Sequence, residues 1–243
     1  MKKYQRQNKK GREKMDLRDF ILNTKFSYIQ PYDDIPDKWN ITNSLNNHQF
    51  PEQDIKLRGL LRSILKKYPN GDYSFPLAGM LNKAVRDMDD DHCFAFFGTK
   101  EPYMIAGLLG NIGKKALIVS PSIKKSIIKR GLFPHLKSCH KIISVSPTHY
   151  VNTHSDTIGK IGVLFVDGNN ANGAIAALHN KIIAPGCVVF FTGINNDQIY
   201  DKAIKFFIAS SPPFTSDTLL FQKTNATSNH PTYWDGVFIL RLL

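Results

Sequence analysis

The chain has 243 residues, and its 32 Lys and Arg against 20 Asp and Glu give a net charge of +12. Apolar residues make up 42% and aromatic residues 11% of the chain. This globular composition excludes a disordered chain, a fibre and a disulfide scaffold. The longest apolar runs, such as 187–191, are far shorter than the roughly 20 residues of a membrane-spanning helix, so we expect no membrane insertion.

The three cysteines, Cys93, Cys139 and Cys187, are widely spaced. This spacing fits neither a disulfide framework nor a C-x2-C metal knuckle. We interpret them as ordinary buried thiols, since two of them begin apolar runs where a small apolar side chain suits the interior of a sheet. Reduced thiols and the absence of an uninterrupted apolar signal segment predict a cytoplasmic protein.

The first residues of the chain are strongly basic. Residues 1–14 contain seven Lys and Arg and a single Glu, which is half of the net charge. A polar segment without periodicity is typically a disordered terminus, and we predict such an arm over 1–15. Two interpretations stay open: a solvated terminus without a partner, or an arm that binds an acidic polymer or nucleic acid through long-range electrostatics.

Residues 16–91 are predicted to form a mostly helical N-terminal cap. Apolar residues recur at helical spacing over 57–65, with basic residues on the opposite face. A second short helix follows over 77–85 and ends in the acidic run 87–91. The cap therefore precedes the part of the chain in which strands begin.

Short apolar runs alternate with helical segments from residue 92 onward. The predicted strands are 92–97, 116–119, 141–145, 162–166 and 187–191, and the predicted helices between them are 103–110, 123–130 and 171–183. Buried parallel strands are typically continuous apolar runs. The pattern predicts an α/β domain with a Rossmann-like open, mostly parallel sheet covered by helices.

The end of the chain departs from this alternation. Two further strands, 218–222 and 234–241, are separated only by the polar stretch 223–233. A parallel pair needs a crossover of about a dozen residues or more, usually helical, so these two strands are expected to pair antiparallel. The prediction for 92–243 is therefore a seven-stranded sheet with an antiparallel C-terminal hairpin.

Ligands of open α/β sheets bind beyond the carboxyl ends of the strands. Asp167 follows the fourth strand and is the strongest site candidate, because a carboxylate there can hold a cation, a metal or a substrate hydroxyl. Its alternative role is to cap the turn at Gly168. No G-x-x-x-x-G-K-[ST] and no G-x-S-x-G motif occurs, which excludes P-loop NTPases and the usual α/β-hydrolases.

Two other strand ends are candidates. Gly98 follows the first strand, where a glycine permits close approach of a ligand to a helix N-terminus or simply forms a strand-to-helix turn. Ser120 follows the second strand, where a ribose-binding protein usually has Asp or Glu. The alternative role of Ser120 is to cap the helix predicted over 123–130.

With the elements in this order, residues 92–243 resemble the class I S-adenosylmethionine-dependent methyltransferase fold, and more narrowly its macrocin O-methyltransferase and cephalosporin-hydroxylase-like branch. The segment 163–191 looks like that branch's I-D-G-D-H segment, helix, L-x-P-G-G and next strand, and 234–240 is similar to the last strand of such folds. The resemblance implies S-adenosylmethionine as cofactor and Asp167 as the catalytic residue and candidate ligand of a divalent metal. It implies these cofactor-binding positions: Gly98, Thr99, Ser120, Ser146 and Asp167.

The sequence departs from the family pattern where the cofactor binds. The E-x-G-x-G-x-G loop would fall on 96–102, which keeps only Gly98, and the ribose-binding acid corresponds to Ser120. The paired aspartates that follow the fifth strand in metal-dependent members correspond to Thr192 and Gly193. Lys100 would place an ammonium near the sulfonium, and two like charges at low effective dielectric repel each other strongly.

Two functions from different classes follow. The first is an O-methyltransferase acting on a hydroxylated small molecule or sugar, in which the enzyme contributes chiefly proximity and in-line geometry. The second is a methyltransferase-like module that has lost its cofactor and binds an acidic polymer or nucleic acid through the basic arm and the helix around 56–67. A glycosyltransferase is disfavoured, because the sequence Asp87-Met88-Asp89 precedes the sheet instead of following a strand.

Overall fold

The computed structural model describes residues 15–26, 48–49, 74–111, 113–121, 140–223 and 235–243. The helices are α1 (Leu17–Asn23), α2 (Phe75–Asp87), α3 (Glu101–Gly110), α4 (Pro147–Ile158), α5 (Ala171–His179) and α6 (Asp197–Ala209). The strands are β1 (Lys25–Phe26), β2 (His48–Gln49), β3 (Cys93–Phe97), β4 (Lys115–Val119), β5 (His140–Ile143), β6 (Ile161–Asp167), β7 (Ile183–Thr192), β8 (Ser216–Gln222) and β9 (Val237–Leu242). The basic arm and the helices predicted over 57–65 and 123–130 lie outside the described residues.

Seven of these strands form one sheet in the order β5-β4-β3-β6-β7-β9-β8. The first five of that order pair in parallel, and β9 pairs antiparallel with both β7 and β8. The predicted Rossmann-like, mostly parallel seven-stranded sheet with an antiparallel C-terminal hairpin is therefore confirmed. The last strand of the chain lies inside the sheet, and β8 lies at its edge.

The predicted strands all overlap observed ones, and the largest difference is at β7. This strand begins at Ile183, which pairs with Ile161 of β6, and its register then shifts across Pro185-Gly186. Because the proline and glycine interrupt the apolar run, the sequence predicted only the later part of the strand, 187–191. The helix predicted over 171–183 is shorter in the structure, where it ends at His179. Lys181 adopts a φ of 55°, which is incompatible with an α-helix, and Ile183 already belongs to β7.

Two helices within residues 92–243 were missed by the sequence prediction. The helix α4 is largely polar and exposed, with Pro147 at its start and only a narrow buried face. The helix α6 begins after Asn196, whose side chain accepts hydrogen bonds from the backbone amides of Gln198 and Ile199. Such an Asn N-cap is a recognised start signal, so α6 carried a signal in its sequence.

The sheet has an apolar core on each face. Alternate strand residues, such as Phe94 and Phe165, face the layer that contains α2 and α3, and the residues between them face α4, α5 and α6. The hydroxyl of Tyr103 on α3 accepts a hydrogen bond from the amide of Ser74, which caps α2. The helix α2, which lies within the predicted cap 16–91, packs its apolar residues in the same core cluster as Phe94 and Phe165 of the sheet.

The carboxyl ends of three parallel strands lie side by side. Phe97 of β3 pairs with Val166, and Asp167 of β6 pairs with Thr192 of β7. The loops that leave these strands therefore meet at one edge of the sheet, where the functional site is expected. No helix among the described residues is long and apolar enough to cross a membrane.

Candidate functional site

A cleft of about 550 Å³ opens at this carboxyl edge. Its lining includes Thr99 and Lys100 after β3, Asp167 at the end of β6, Asn170 after β6, Asn195 after β7 and Asp235 before β9. The position is the switch in strand order at which open α/β sheets bind ligands, and the volume suits a small molecule. A second cavity of about 340 Å³, lined in part by Asp16, His92 and Arg241, lies at the opposite edge, at the amino ends of the strands. We therefore place the candidate site in the first cleft.

The carboxylate of Asp167 holds the loop that follows β3. Its Oδ2 accepts hydrogen bonds from the backbone amides of Thr99 at 2.5 Å and Lys100 at 2.8 Å, and its Oδ1 accepts one from Nδ2 of Asn170 at 3.1 Å. The residue is only 4% exposed. The negative charge lies at the start of α3, where the helix dipole and charge-assisted hydrogen bonds both stabilise it.

Gly98 is the point of closest contact between the two loops. A Cβ placed on Gly98 would lie 2.4 Å from Oδ2 of Asp167, closer than real Cβ atoms approach an oxygen. The sequence predicted that this glycine permits the close approach of a ligand. In the structure the group that approaches it is the protein's own carboxylate.

Lys100 forms an ion pair with Asp235 across the cleft. Its Nζ lies 2.5 Å from Oδ2 of Asp235, and both side chains are mostly buried. Of the described residues that line the cleft, only Lys100, Asp167 and Asp235 are charged. The lining therefore carries one positive and two negative side chains, and the ammonium of Lys100 is compensated by a carboxylate.

The five residues predicted to bind the cofactor divide into two groups. Thr99 and Asp167 line the cleft, and Gly98 packs against the carboxylate of Asp167 without being part of the described lining. Ser120 is fully buried and its amide donates to the carbonyl of Ile143, so the next residue along the chain, Pro121, lines the cleft in its place. Ser146 is the exposed N-cap residue of α4 and is not part of the lining that the structure describes.

Several polar residues of the cleft were missed by the sequence analysis. Asn195 and Asn196 follow β7 and would have been found by the rule that pointed to Asp167, had the strand been extended to Thr192. Asp235 was missed for a different reason. It precedes β9, and because β9 is antiparallel, its amino end lies at the carboxyl edge of the parallel strands.

The cleft offers a poor set of ligands for a metal ion. Its two carboxylates are engaged by the loop amides and by Lys100, and Thr192, at the position of a metal-binding aspartate in the resembled branch, is a buried hydroxyl. Within the described residues, the group of three side chains close enough to share an ion is Asp89, Asp91 and His92 at the other edge of the sheet. A metal at Asp167 is not supported.

Comparison with known proteins finds matches among solved structures. No protein-family model matches the sequence, and no curated protein matches it. An O-methyltransferase from Bacillus cereus, solved in complex with S-adenosylhomocysteine, is similar over 75% of this chain and 90% of its own, with a TM-score of 0.54 and 14% identity. The O-methyltransferase TomG from Streptomyces achromogenes, solved with S-adenosylmethionine, is similar over 76% of this chain and 88% of its own, with a TM-score of 0.53 and 13% identity.

A methyltransferase from Geobacter sulfurreducens is similar over 77% of this chain and 90% of its own, with a TM-score of 0.51 and 12% identity. These similarities and the strand order together identify the fold. The chain has the class I S-adenosylmethionine-dependent methyltransferase fold. At such low identities the similarity extends to the methyltransferase fold alone, and the narrower branch suggested by 163–191 stays a prediction.

Proposed function

We propose that this protein is an S-adenosylmethionine-dependent methyltransferase that acts on a hydroxyl group of a small molecule or sugar. The observation that carries the proposal is the ion pair between Lys100 and Asp235. The unpaired ammonium that the sequence placed beside the sulfonium would have opposed binding. With Asp235 beside Lys100, the ammonium is compensated, so the described lining does not repel a cation.

The residues of the cleft fit the cofactor in size, charge and hydrogen-bonding groups. A volume of about 550 Å³ accommodates a ligand of nucleoside size. The apolar side chains of Pro121 and Ile199 offer a surface for the base, and the amides of Asn170 and Asn195 can bond ribose hydroxyls in place of the acid that is missing at Ser120.

S-adenosylmethionine, when bound, supplies an electrophilic methyl group. The residues of the chain then contribute position and charge. Asp167 is a positioning residue in this proposal, since its buried carboxylate is engaged by the amides of the β3–α3 loop. Asn196 is an exposed residue of the lining, and its amide can orient an acceptor hydroxyl in line with the methyl group.

A hydroxyl acceptor is supported by two considerations. Two of the similar structures are described as O-methyltransferases. The described polar lining consists of amide, hydroxyl and paired charged groups, which bind a neutral hydroxylated molecule without leaving an uncompensated charge.

A second candidate function is a methyltransferase-fold module that binds no cofactor. The observation in its favour is that the amides of Thr99 and Lys100 already donate to Asp167. Loop amides at a helix N-terminus are the donors that bind an anionic or polar ligand in many nucleotide sites, and here they are engaged. Such a module would act through other surfaces, among them the basic segment 1–14, which is either a solvated terminus or an arm that binds an acidic polymer or nucleic acid.

Calorimetric titration of the purified protein with S-adenosylmethionine and S-adenosylhomocysteine separates the two functions. We expect micromolar binding, which corresponds to about −8 kcal/mol. Ile199→Trp, which fills the cleft, should abolish it. Ile208→Trp is the matched control, because Ile208 lies on the same helix and its side chain is exposed. Absence of heat and of a thermal shift at millimolar ligand would refute the methyltransferase and favour the cofactor-free module.

A further inference from the structure

We infer that Asp235 is a specificity-determining residue that makes the cleft prefer a sulfonium over the corresponding neutral thioether. The inference rests on the proposed function and names the residue that sets its cofactor preference. S-adenosylmethionine and S-adenosylhomocysteine share the same adenosine and the same amino acid group, and they differ in the methyl group and the positive charge on sulfur. The ratio of their affinities therefore reports the electrostatics of the cleft around the sulfur.

The position of Asp235 is fixed by the backbone around it. Its carbonyl accepts a hydrogen bond from the amide of Asn195 at 2.9 Å, and the carbonyl of Gly236 accepts one from the amide of Gly193 at 3.1 Å. These bonds join the start of β9 to the loop that follows β7. The carboxylate of Asp235 is thus held at the cleft by the main chain as well as by its ion pair with Lys100.

Lys100 is also constrained on its own side of the cleft. Its amide donates to Asp167 at 2.8 Å, and the residue is the N-cap of α3. Its stem therefore begins at a fixed point, and its ammonium extends across the cleft to Oδ2 of Asp235. The two charges come from positions 135 residues apart in the chain and converge on the same lining.

The carboxylate of Asp235 neutralises the ammonium of Lys100 effectively because both side chains are largely removed from water. About a quarter of each side chain is exposed, 22% for Lys100 and 28% for Asp235. Charges in such a partly desolvated site interact through a lower effective dielectric than surface charges do. Removing the carboxylate leaves an uncompensated ammonium in the cleft, and this repels a sulfonium but not a thioether.

The test measures dissociation constants for both ligands in the full chain and its variants. Asp235→Asn should weaken S-adenosylmethionine tenfold or more while S-adenosylhomocysteine changes little. Lys100→Met should shift the ratio of affinities in the opposite direction. The double variant Lys100→Met/Asp235→Asn removes one charge of each sign and should return the ratio to that of the wild type. Asp217→Asn, which breaks the ion pair between Asp217 and Arg18 outside the cleft, is the control.

The outcomes separate the inference from the proposed function. If the wild type binds both ligands and the ratio of affinities stays the same in Asp235→Asn and Lys100→Met, the methyltransferase stands and the role of Asp235 is refuted. If the wild type binds neither ligand, the proposed function fails and the inference fails with it. Should Asp235→Asn fail to fold, as judged by its thermal melt, the comparison of Lys100→Met with the double variant decides. These two proteins differ only at Asp235, so the double variant must prefer the sulfonium less, and equal ratios would refute the role of Asp235.

Discussion

The carboxylate of Asp167 occupies the space that a side chain at residue 98 would need. The ideal Cβ of Gly98 would lie 2.4 Å from Oδ2 and 2.5 Å from Cγ of Asp167. The absence of a side chain at 98 thus lets the β3–α3 loop fold onto the carboxylate and donate its amides to it. A glycine that resembles the remnant of a cofactor loop is required by a contact within the protein itself.

Gly98→Ala is expected to destabilise the protein by about 1–3 kcal/mol, because the added methyl group forces the loop away from Asp167. Asp167→Ala should cost about 1–3 kcal/mol, since it leaves the amides of Thr99 and Lys100 without their acceptor. In a protein that already carries Asp167→Ala, the methyl group added by Gly98→Ala no longer contacts a carboxylate. The loss in free energy of unfolding caused by Gly98→Ala should then be much smaller. Urea unfolding of the four proteins measures this coupling, and strictly additive effects would contradict the contact.

Lys114 is expected to stabilise the end of α2. Its buried ammonium donates to the carbonyl of Arg86 at 3.1 Å and to that of Met88, and it lies 3.6 Å from the carboxylate of Asp90. Lys114→Met keeps the apolar stem but leaves these carbonyls without a donor, so we expect a loss of about 1–3 kcal/mol in urea unfolding. Lys115→Met is the matched control, because that neighbouring side chain is exposed. Equal losses of stability in both variants would argue against a specific contribution from the hydrogen bonds of Lys114.

Asp16 is expected to make the free energy of unfolding depend on pH. The hydrogen bond from Arg241 lowers the pKa of Asp16 below its ordinary value, so this carboxylate favours the folded state at neutral pH. A lowered pKa means that the contribution is lost as the pH falls through the folded-state pKa. The gap in urea midpoint between the wild type and Asp16→Asn should therefore be largest near neutrality and should narrow as the pH falls below the ordinary aspartate pKa of about 3.9. Asp19→Asn, in the first turn of α1, serves as the comparison. A gap that persists in acid would show that the ion pair between Asp16 and Arg241 is not its source.

Cys187 is expected to be unreactive in the folded protein. It is fully buried in β7, and burial raises the pKa of its thiol far above the usual range. Because the thiolate is the reactive form, iodoacetamide at pH 8 should leave the peptide with Cys187 unmodified until urea is added. Mass spectrometry of tryptic peptides follows the label. Modification of Cys187 under native conditions at the rate seen in urea would contradict the buried position.

The elements that sequence reasoning found and those that it missed differ in how local their signals are. The strands β3, β4 and β6 were found because each is a continuous apolar run, and a strand buried on both faces needs such a run. The helix α4 was missed because most of its residues face outward, so it carries little apolar periodicity. The start of β7 was missed because Pro185 and Gly186 interrupt it, although Ile183 already pairs with β6.

For the candidate site, the location of Asp167 could be predicted from the sequence, but its role could not. Asp167 was found because a lone carboxylate after a buried strand is visible in one short segment, and the antiparallel hairpin followed from the missing crossover helix. What Asp167 does was not predictable, since its hydrogen-bond donors belong to a loop 67 and 68 residues earlier. A choice between a ligand contact and a contact within the protein depends on distances that no local pattern encodes.

Local patterns in the chain were thus sufficient for the fold class, because burial and chain connectivity constrain which residues a parallel sheet with a terminal hairpin can contain. The charge of the cleft depended on tertiary structure. Lys100 alone predicts a site that repels a sulfonium, and only the insertion of β9 beside β7 places Asp235 next to it. The physical reason is that electrostatic interactions depend on separation in space, and these two residues are 135 positions apart in the chain.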